Sequence, residues 1–440
     1  MGQPHGTRKH TMKKSLLPIL GLALVAGAIL TFILRPATPP DTAPSNVAVS
    51  APTPLLIAHV TPSSGRFASH AEADRRGVQM AIDEFNERGG VLGREVVLVS
   101  RDPTLDTAQA ARVAVELIEQ TKISFMVGAI HSGIAASMSA VCQQYGVIFI
   151  NTNSSSHSEA TTDAHRTKFM FDAHGPNFDR ALIKFALANR PSKKVLLLTE
   201  DYVFGHSNAA ATRKLIAQAG GTVVGEIIIP EAMPDPGRIV ERIAASDADV
   251  VMIGVTGDNQ IKLFAQVDPA LLEKQFWLLN EVDWPELYTA PGTMRPLFGT
   301  TWAWNLDTPG THAFVTRYRE RYGHSKLDYP GDVVHGAYLG AKALLTAIER
   351  AGTTENHAVI RELERYTWTA PERMQHDAAF MEPTSHHVQQ TIYIARWNTQ
   401  MERPEQRLEI LGHITPEQAA DPQERETVLE SVDETPTFVP

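Results

Sequence analysis

The chain has 440 residues and a formal net charge of −10, with 43% hydrophobic and 20% charged residues. That balance supplies ordinary hydrophobic cores, fits two domains by length, and argues against general nucleic-acid binding, which needs a positive surface. The single cysteine, Cys142, excludes an intrachain disulfide and is expected to be a small buried apolar residue.

In chain order, Arg8, Lys9, Lys13 and Lys14 precede an uncharged apolar run over residues 16–34, long enough to cross a bilayer. Basic residues belong on the cytoplasmic side. Residues 1–15 are therefore read as a cytoplasmic segment, 16–34 as a transmembrane signal-anchor or signal peptide, and everything after Arg35 as periplasmic. No Ala-x-Ala site directly follows the run and no cysteine stands there to accept lipid, which favours an uncleaved anchor. Residues 35–54, rich in Pro, Ala, Thr and Ser, read as an extended linker.

Residues 55–60 form an apolar run closed by Thr61-Pro62-Ser63-Ser64-Gly65, a buried strand delivered into a turn. Over residues 71–88, Val78, Ala81, Ile82 and Phe85 fall at i, i+3, i+4 and i+7, one face of a helix that Gly89-Gly90 ends. The pattern repeats. Residues 95–99 are a second strand, and Ala110, Val113, Ala114 and Leu117 mark the next helix. A third strand at 125–127 ends at Gly128, and a fourth covers 147–150. Strands alternating with amphipathic helices predict a mostly parallel sheet, with ligands bound beyond the strands' carboxyl ends. The loops at those ends are Ser63-Ser64-Gly65, Ala129-Ile130-His131-Ser132 and Asn151-Thr152-Asn153-Ser154-Ser155-Ser156. Their hydroxyls, amides and helix-start N–H groups suit a carboxylate or another small polar group, although each serine alone reads equally well as a cap or turn residue.

A second α/β unit follows, with strands at 195–198, 223–229, 250–253 and 276–279 and helical stretches at 209–219 and 258–266. Tyr202, Thr256-Gly257-Asp258 and Asn280-Glu281-Val282-Asp283-Trp284 lie at its strand exits.

From about residue 55 to 397 the chain resembles the substrate-binding proteins of bacterial ABC importers for branched-chain amino acids, including relatives that bind urea and short amides. The resemblance is carried by residues 77–93 (GVQMAIDEFNERGGVLG), 127–132, 150–154, 201–205 (DYVFG) and 338–352 with its AIERAG ending. It implies a type I periplasmic-binding fold, α/β throughout, in which two lobes are joined by three crossings near residues 169–173, 299–304 and 370–373. Lobe 1 would then be 55–170 and 303–370, and lobe 2 would be 171–302 and 371–400. The ligand would sit in the cleft between them and favour closure. Ser64, Ser132, Thr152 and Asn153 would hold its polar or carboxylate end from lobe 1. The resemblance makes Tyr202 an aromatic wall and Glu281 the acidic partner of an α-ammonium, since a desolvated ammonium needs a paired carboxylate. The implied partners are a small polar solute and ABC permease subunits, with no cofactor and no nucleic acid.

Two other functions compete. One is an anchored sensor of the same fold. The other, more distant, is a serine hydrolase at Ser207, where Gly205-His206-Ser207-Asn208-Ala209 approaches a nucleophile elbow but lies several residues past its strand. His376, His386 and His387 lack H-E-x-x-H spacing and read as solvated or capping residues, so no metal is expected. Residues 401–440 read as an acidic, Pro-containing tail, with one short strand or turn at 408–414 and the remainder mobile.

Overall fold

The structure is a computed structural model that describes residues 52–187, 190, 192–281, 296–398 and 406–440. The expected cytoplasmic segment, anchor and most of the linker lie outside the described residues. Among the described residues no helix is long and apolar enough to cross a membrane.

The first five strands are β1 (Leu55–Val60), β2 (Val96–Arg101), β3 (Phe125–Gly128), β4 (Phe149–Asn151) and β5 (Lys168–Met170). They pair in parallel in the order β2-β1-β3-β4-β5, with helices Ala68–Asn86 and Ser132–Tyr145 among the crossovers. The next five are β6 (Lys194–Glu200), β7 (Thr222–Ile229), β8 (Val250–Gly254), β9 (Phe276–Glu281) and β10 (Leu297–Thr300). They make a second parallel array in the order β7-β6-β8-β9-β10. The chain then returns to the first sheet with β11 (Thr367–Trp368), β12 (Ala379–Glu382) and β13 (His387–Gln389), and ends the second with β14 (Ile392–Trp397) and β15 (Leu408–Ile414). Both sheets are thus mostly parallel, with antiparallel strands at one edge.

Gly77 shows why the helix Ala68–Asn86 carries a glycine on its inner face. A Cβ there would stand 2.3 Å from the Val334 carbonyl oxygen. Helices Ala68–Asn86 and Asp332–Ala351 therefore meet backbone to backbone, and no larger residue fits. Cys142 is buried as expected, its thiol pKa pushed up by desolvation.

The first crossing leads from β5 into helix Gly175–Ala186, which packs on β9, β10 and β14. The second follows β10. The third falls at Gln390-Thr391, between β13 and β14, and not at 370–373 as the resemblance implied. Residues 379–389 consequently belong to the first sheet, because β12 pairs with β13 and β13 lies beside β5. The three crossings are tied together by two buried side chains. Arg373 Nη2 donates to Phe171 O (3.4 Å) and to the Gln390 side chain, while Gln375 Nε2 donates to Thr301 O (2.5 Å) and Thr391 O (3.2 Å).

The end of the chain is the other departure. Residues 408–414 form the expected strand, but 415–440 are ordered against the body rather than free. The Ala419 carbonyl accepts from Asn177 Nδ2 (2.8 Å) and Arg180 Nη1 (2.6 Å) on the second lobe. Farther on, the Glu430 carbonyl accepts from Arg166 Nε (2.6 Å), and Phe438 N donates to Asn356 Oδ1 (3.0 Å), both partners on the first lobe. The segment passes from one lobe to the other, held by these hydrogen bonds and by Ala419, Val432 and Phe438, which pack against the hydrophobic cores.

Candidate functional site

The carboxyl ends of the two parallel arrays face one another. On the first lobe, the turn after β1 winds into a short 3₁₀ turn at Gly65–Phe67 that projects Arg66. The exit of β3 presents His131 as the cap of helix Ser132–Tyr145, its Nδ1 accepting from Ile134 N (3.3 Å). On the second lobe, β6 ends at Glu200, Tyr202 precedes helix Val203–Gln218, and Gly257, at φ +61°, turns the chain from β8 into helix Asp258–Phe264.

These groups meet across the cleft. Arg66 Nη1 donates to Glu200 Oε1 (2.6 Å) and to Thr256 O (3.4 Å), and Nη2 donates to Glu231 Oε2 (3.3 Å). Its guanidinium lies 4.4 Å from the Phe67 ring centroid and 5.7 Å from that of Tyr202. Burial opposes the Arg66 charge, yet Glu200, Tyr202 and Glu231 together raise its pKa above the ordinary arginine value. Glu200 is fully buried and also accepts from Thr256 Oγ1 (2.8 Å), Thr256 N (3.2 Å) and Asn259 Nδ2 (2.5 Å). The Tyr202 ring stacks on His131 at 4.4 Å between centroids, 17° from parallel, and its hydroxyl is 3.1 Å from Thr256 Oγ1. His131 Nε2 stands 3.5 Å from Glu231 Oε2, and His131 with Arg66 holds that carboxyl below the usual range despite its partial burial. The cleft thus carries both signs of charge and a stacked aromatic pair.

The sequence-predicted residues are distributed unevenly around this centre. Tyr202 is part of it, and Ser132 is next to His131. The Ser132 and Ser154 hydroxyls lie 3.0 Å apart, and Ser154 Oγ donates to buried Glu159, whose carboxyl burial pushes up. Asn153 turns its amide inward to Asp74, which also holds His59 Nε2 at 2.6 Å. Thr152 is fully buried with a hydroxyl that lacks a hydrogen-bond partner among the described residues, and so does the hydroxyl of Thr61 just past β1. Ser64 is exposed and interacts with Asp102. Glu281 ends β9, and its side chain lies outside the described residues.

Arg66, Glu200 and Glu231 were not singled out by the sequence as site residues, and Thr256 was marked only as part of a strand exit. The available signal was Glu200, a carboxylate closing an otherwise apolar strand. Ser207 sits inside helix Val203–Gln218, where its hydroxyl accepts from Ser158 N (2.8 Å), so it is not on a strand-to-helix elbow. His386, just before β13, and His387, which begins it, are buried and not solvated: the segment lies beside β5, His386 reaches Glu364 and His387 the Asp172 carbonyl.

The chain is similar to known proteins. A family described as periplasmic binding protein matches residues 54–402. The Leu/Ile/Val-binding protein homolog 6 of Brucella suis biovar 1 (strain 1330) is 26% identical over 349 residues, 77% of this chain and 86% of that one. Among solved structures, the closed leucine-, isoleucine-, valine-, threonine- and alanine-binding protein of Brucella ovis superposes with a TM-score of 0.74 at 17% identity, covering 86% of this chain and 99% of the other. An ABC-transporter solute-binding protein of R. palustris in complex with 4-hydroxybenzoate gives 0.72 at 22% identity, over 82% and 97%.

Proposed function

Since the chain belongs to the periplasmic binding protein family, we propose that it captures a small polar solute in the cleft between its lobes and delivers it to an ABC permease. The observation that carries this reading is the meeting of Arg66 and His131 from one lobe with buried Glu200 and partly buried Glu231 and Tyr202 from the other. Groups of both signs on opposing walls suit a ligand that itself carries both signs, and an α-amino acid does. Its carboxylate would be met by Arg66 with the hydroxyls of Thr61 and Thr152, which have no partner among the described residues, and the helix start at Ser132, and its ammonium by the acidic wall of Glu200, Glu231 and Glu281. Tyr202 and Phe67 would flank the side chain. A branched-chain side chain is the first choice, in keeping with the relative's name. Urea or a short amide carries neither charge and would leave the Arg66–Glu200 pair undisturbed.

Lobe 1 is taken to comprise 55–170 with 303–389, and lobe 2 to comprise 171–302 with the strands from Ile392 onward. Residues 16–34 would anchor the protein to the periplasmic side of the inner membrane. A thermal-shift screen of amino acids, urea, short amides and 4-hydroxybenzoate tests the ligand class. Stabilisation by one or more branched-chain amino acids supports the reading; a response only to uncharged amides or to the aromatic acid sinks the amino-acid assignment.

A further inference from the structure

The ordered end of the chain closes over three histidines that the cleft does not use. His157 follows β4, His174 precedes helix Gly175–Ala186 at the first crossing, and His387 begins β13. Asp421 and Glu424 come from the short helix Pro422–Arg425 and its cap. Glu424 Oε1 lies 2.6 Å from His174 Nε2 and its Oε2 2.9 Å from His387 Nδ1, while Asp421 Oδ2 lies 3.1 Å from His157 Nε2. The donor atoms of His174, His387 and Glu424 all fall within 4.8 Å of one another, and so do those of His157, His174 and Asp421. All five side chains are buried.

The orientation of His387 adds a second observation. Its Nε2 is 2.8 Å from the Asp172 carbonyl, which can only accept, so Nε2 carries a proton and Nδ1 is the nitrogen turned toward Glu424, a donor to that carboxylate when protonated and a lone-pair ligand once that proton gives way to a metal. Metal-bound histidines are held in this way, with the far N–H fixed by a carbonyl or carboxylate. Gln389 Nε2 (2.9 Å) and Ser385 Oγ (3.2 Å) fix the Glu424 carboxylate from behind. Two imidazole nitrogens and one carboxylate are a donor set of zinc and its neighbours. Donors that share a tetrahedral ion at about 2.1 Å stand roughly 3.4 Å apart, so the cluster would need to open by several tenths of an ångström.

We propose that His174, His387 and Glu424, with His157 and Asp421 beside them, bind a divalent transition metal of the zinc type, which staples the carboxyl-terminal segment to the first crossing. Both carboxylates lie beyond residue 402, outside the stretch that matches the family. The site is independent of the solute in the cleft.

The test uses the untagged full-length protein, stripped by a chelator and titrated with Co²⁺ and then Zn²⁺. One equivalent of Co²⁺ should produce a visible absorption band that Zn²⁺ displaces, and Zn²⁺ should raise the melting temperature. Glu424→Gln and His387→Gln should each weaken apparent affinity at least tenfold. Absence of a stoichiometric band, or variants that bind like the wild type, would overturn the proposal. If a variant does not fold, the wild-type titration alone decides, since hydrogen bonds between these groups would need no metal.

Discussion

Arg66 of the first lobe places its Nη1 2.6 Å from Glu200 Oε1 of the second, and Glu200 is fully buried. Removing one partner of a buried pair leaves the other charge uncompensated, at about 3–5 kcal/mol. The closed form bears that cost. Arg66→Ala should therefore weaken binding of the cognate solute at least tenfold, as read by calorimetry. An unchanged dissociation constant would remove Arg66 from both closure and ligand recognition.

Tyr202 stacks on His131 across the same cleft. An aromatic pair contributes about 0.5–1.5 kcal/mol beyond its buried area, so Tyr202→Ala should weaken solute binding roughly tenfold. Because Tyr202 is only partly buried, the melting temperature without ligand should change little. A large loss of stability with unaltered affinity would make it a packing residue.

Asp179 is buried and accepts from Thr212 Oγ1 and from Asn280 Nδ2 (2.8 Å); burial raises its pKa to about 6 from 3.8. Between those values the folded protein keeps a proton that the unfolded chain has lost. Its stabilising contribution is therefore full below about pH 4 and disappears as pH rises through about 6. Relative to Asp179→Asn, the wild type should lose about 2 kcal/mol between about pH 4.5 and about pH 7.5 in urea unfolding. Parallel pH curves for the two proteins would show that Asp179 titrates normally.

The uncharged run over 16–34 predicts that the full-length protein stays with membranes through an alkaline carbonate wash, whereas a chain beginning at Pro52 is soluble with the same affinity. Mature protein found free in the periplasm, with an amino terminus beyond Leu34, would identify a cleaved signal peptide.

How much of this was legible depends on what each element buries. β1, β3, β4, β6 and β8 read directly, because strands covered on both faces are continuous apolar runs closed by turn residues. β11 to β13 did not. They are two to four residues long and turn His387 and Gln389 inward, so they look like loop and the third crossing was placed before β12. The tail looked mobile because Glu424 owes its burial to His174, 250 residues away, and not to any local pattern. At the cleft, Tyr202 was marked by its place at a strand exit. Arg66 directly follows the Ser63-Ser64-Gly65 turn, but its partner is 134 residues distant and an isolated arginine in a turn reads as solvated.

Small-angle scattering tests the central claim most directly, because a ligand held by both walls must favour the closed arrangement by its difference in affinity for the two states. The account predicts a lower radius of gyration with saturating cognate solute, and a smaller decrease for Tyr202→Ala. Tight binding with no change in the radius of gyration would contradict capture by closure of the two lobes.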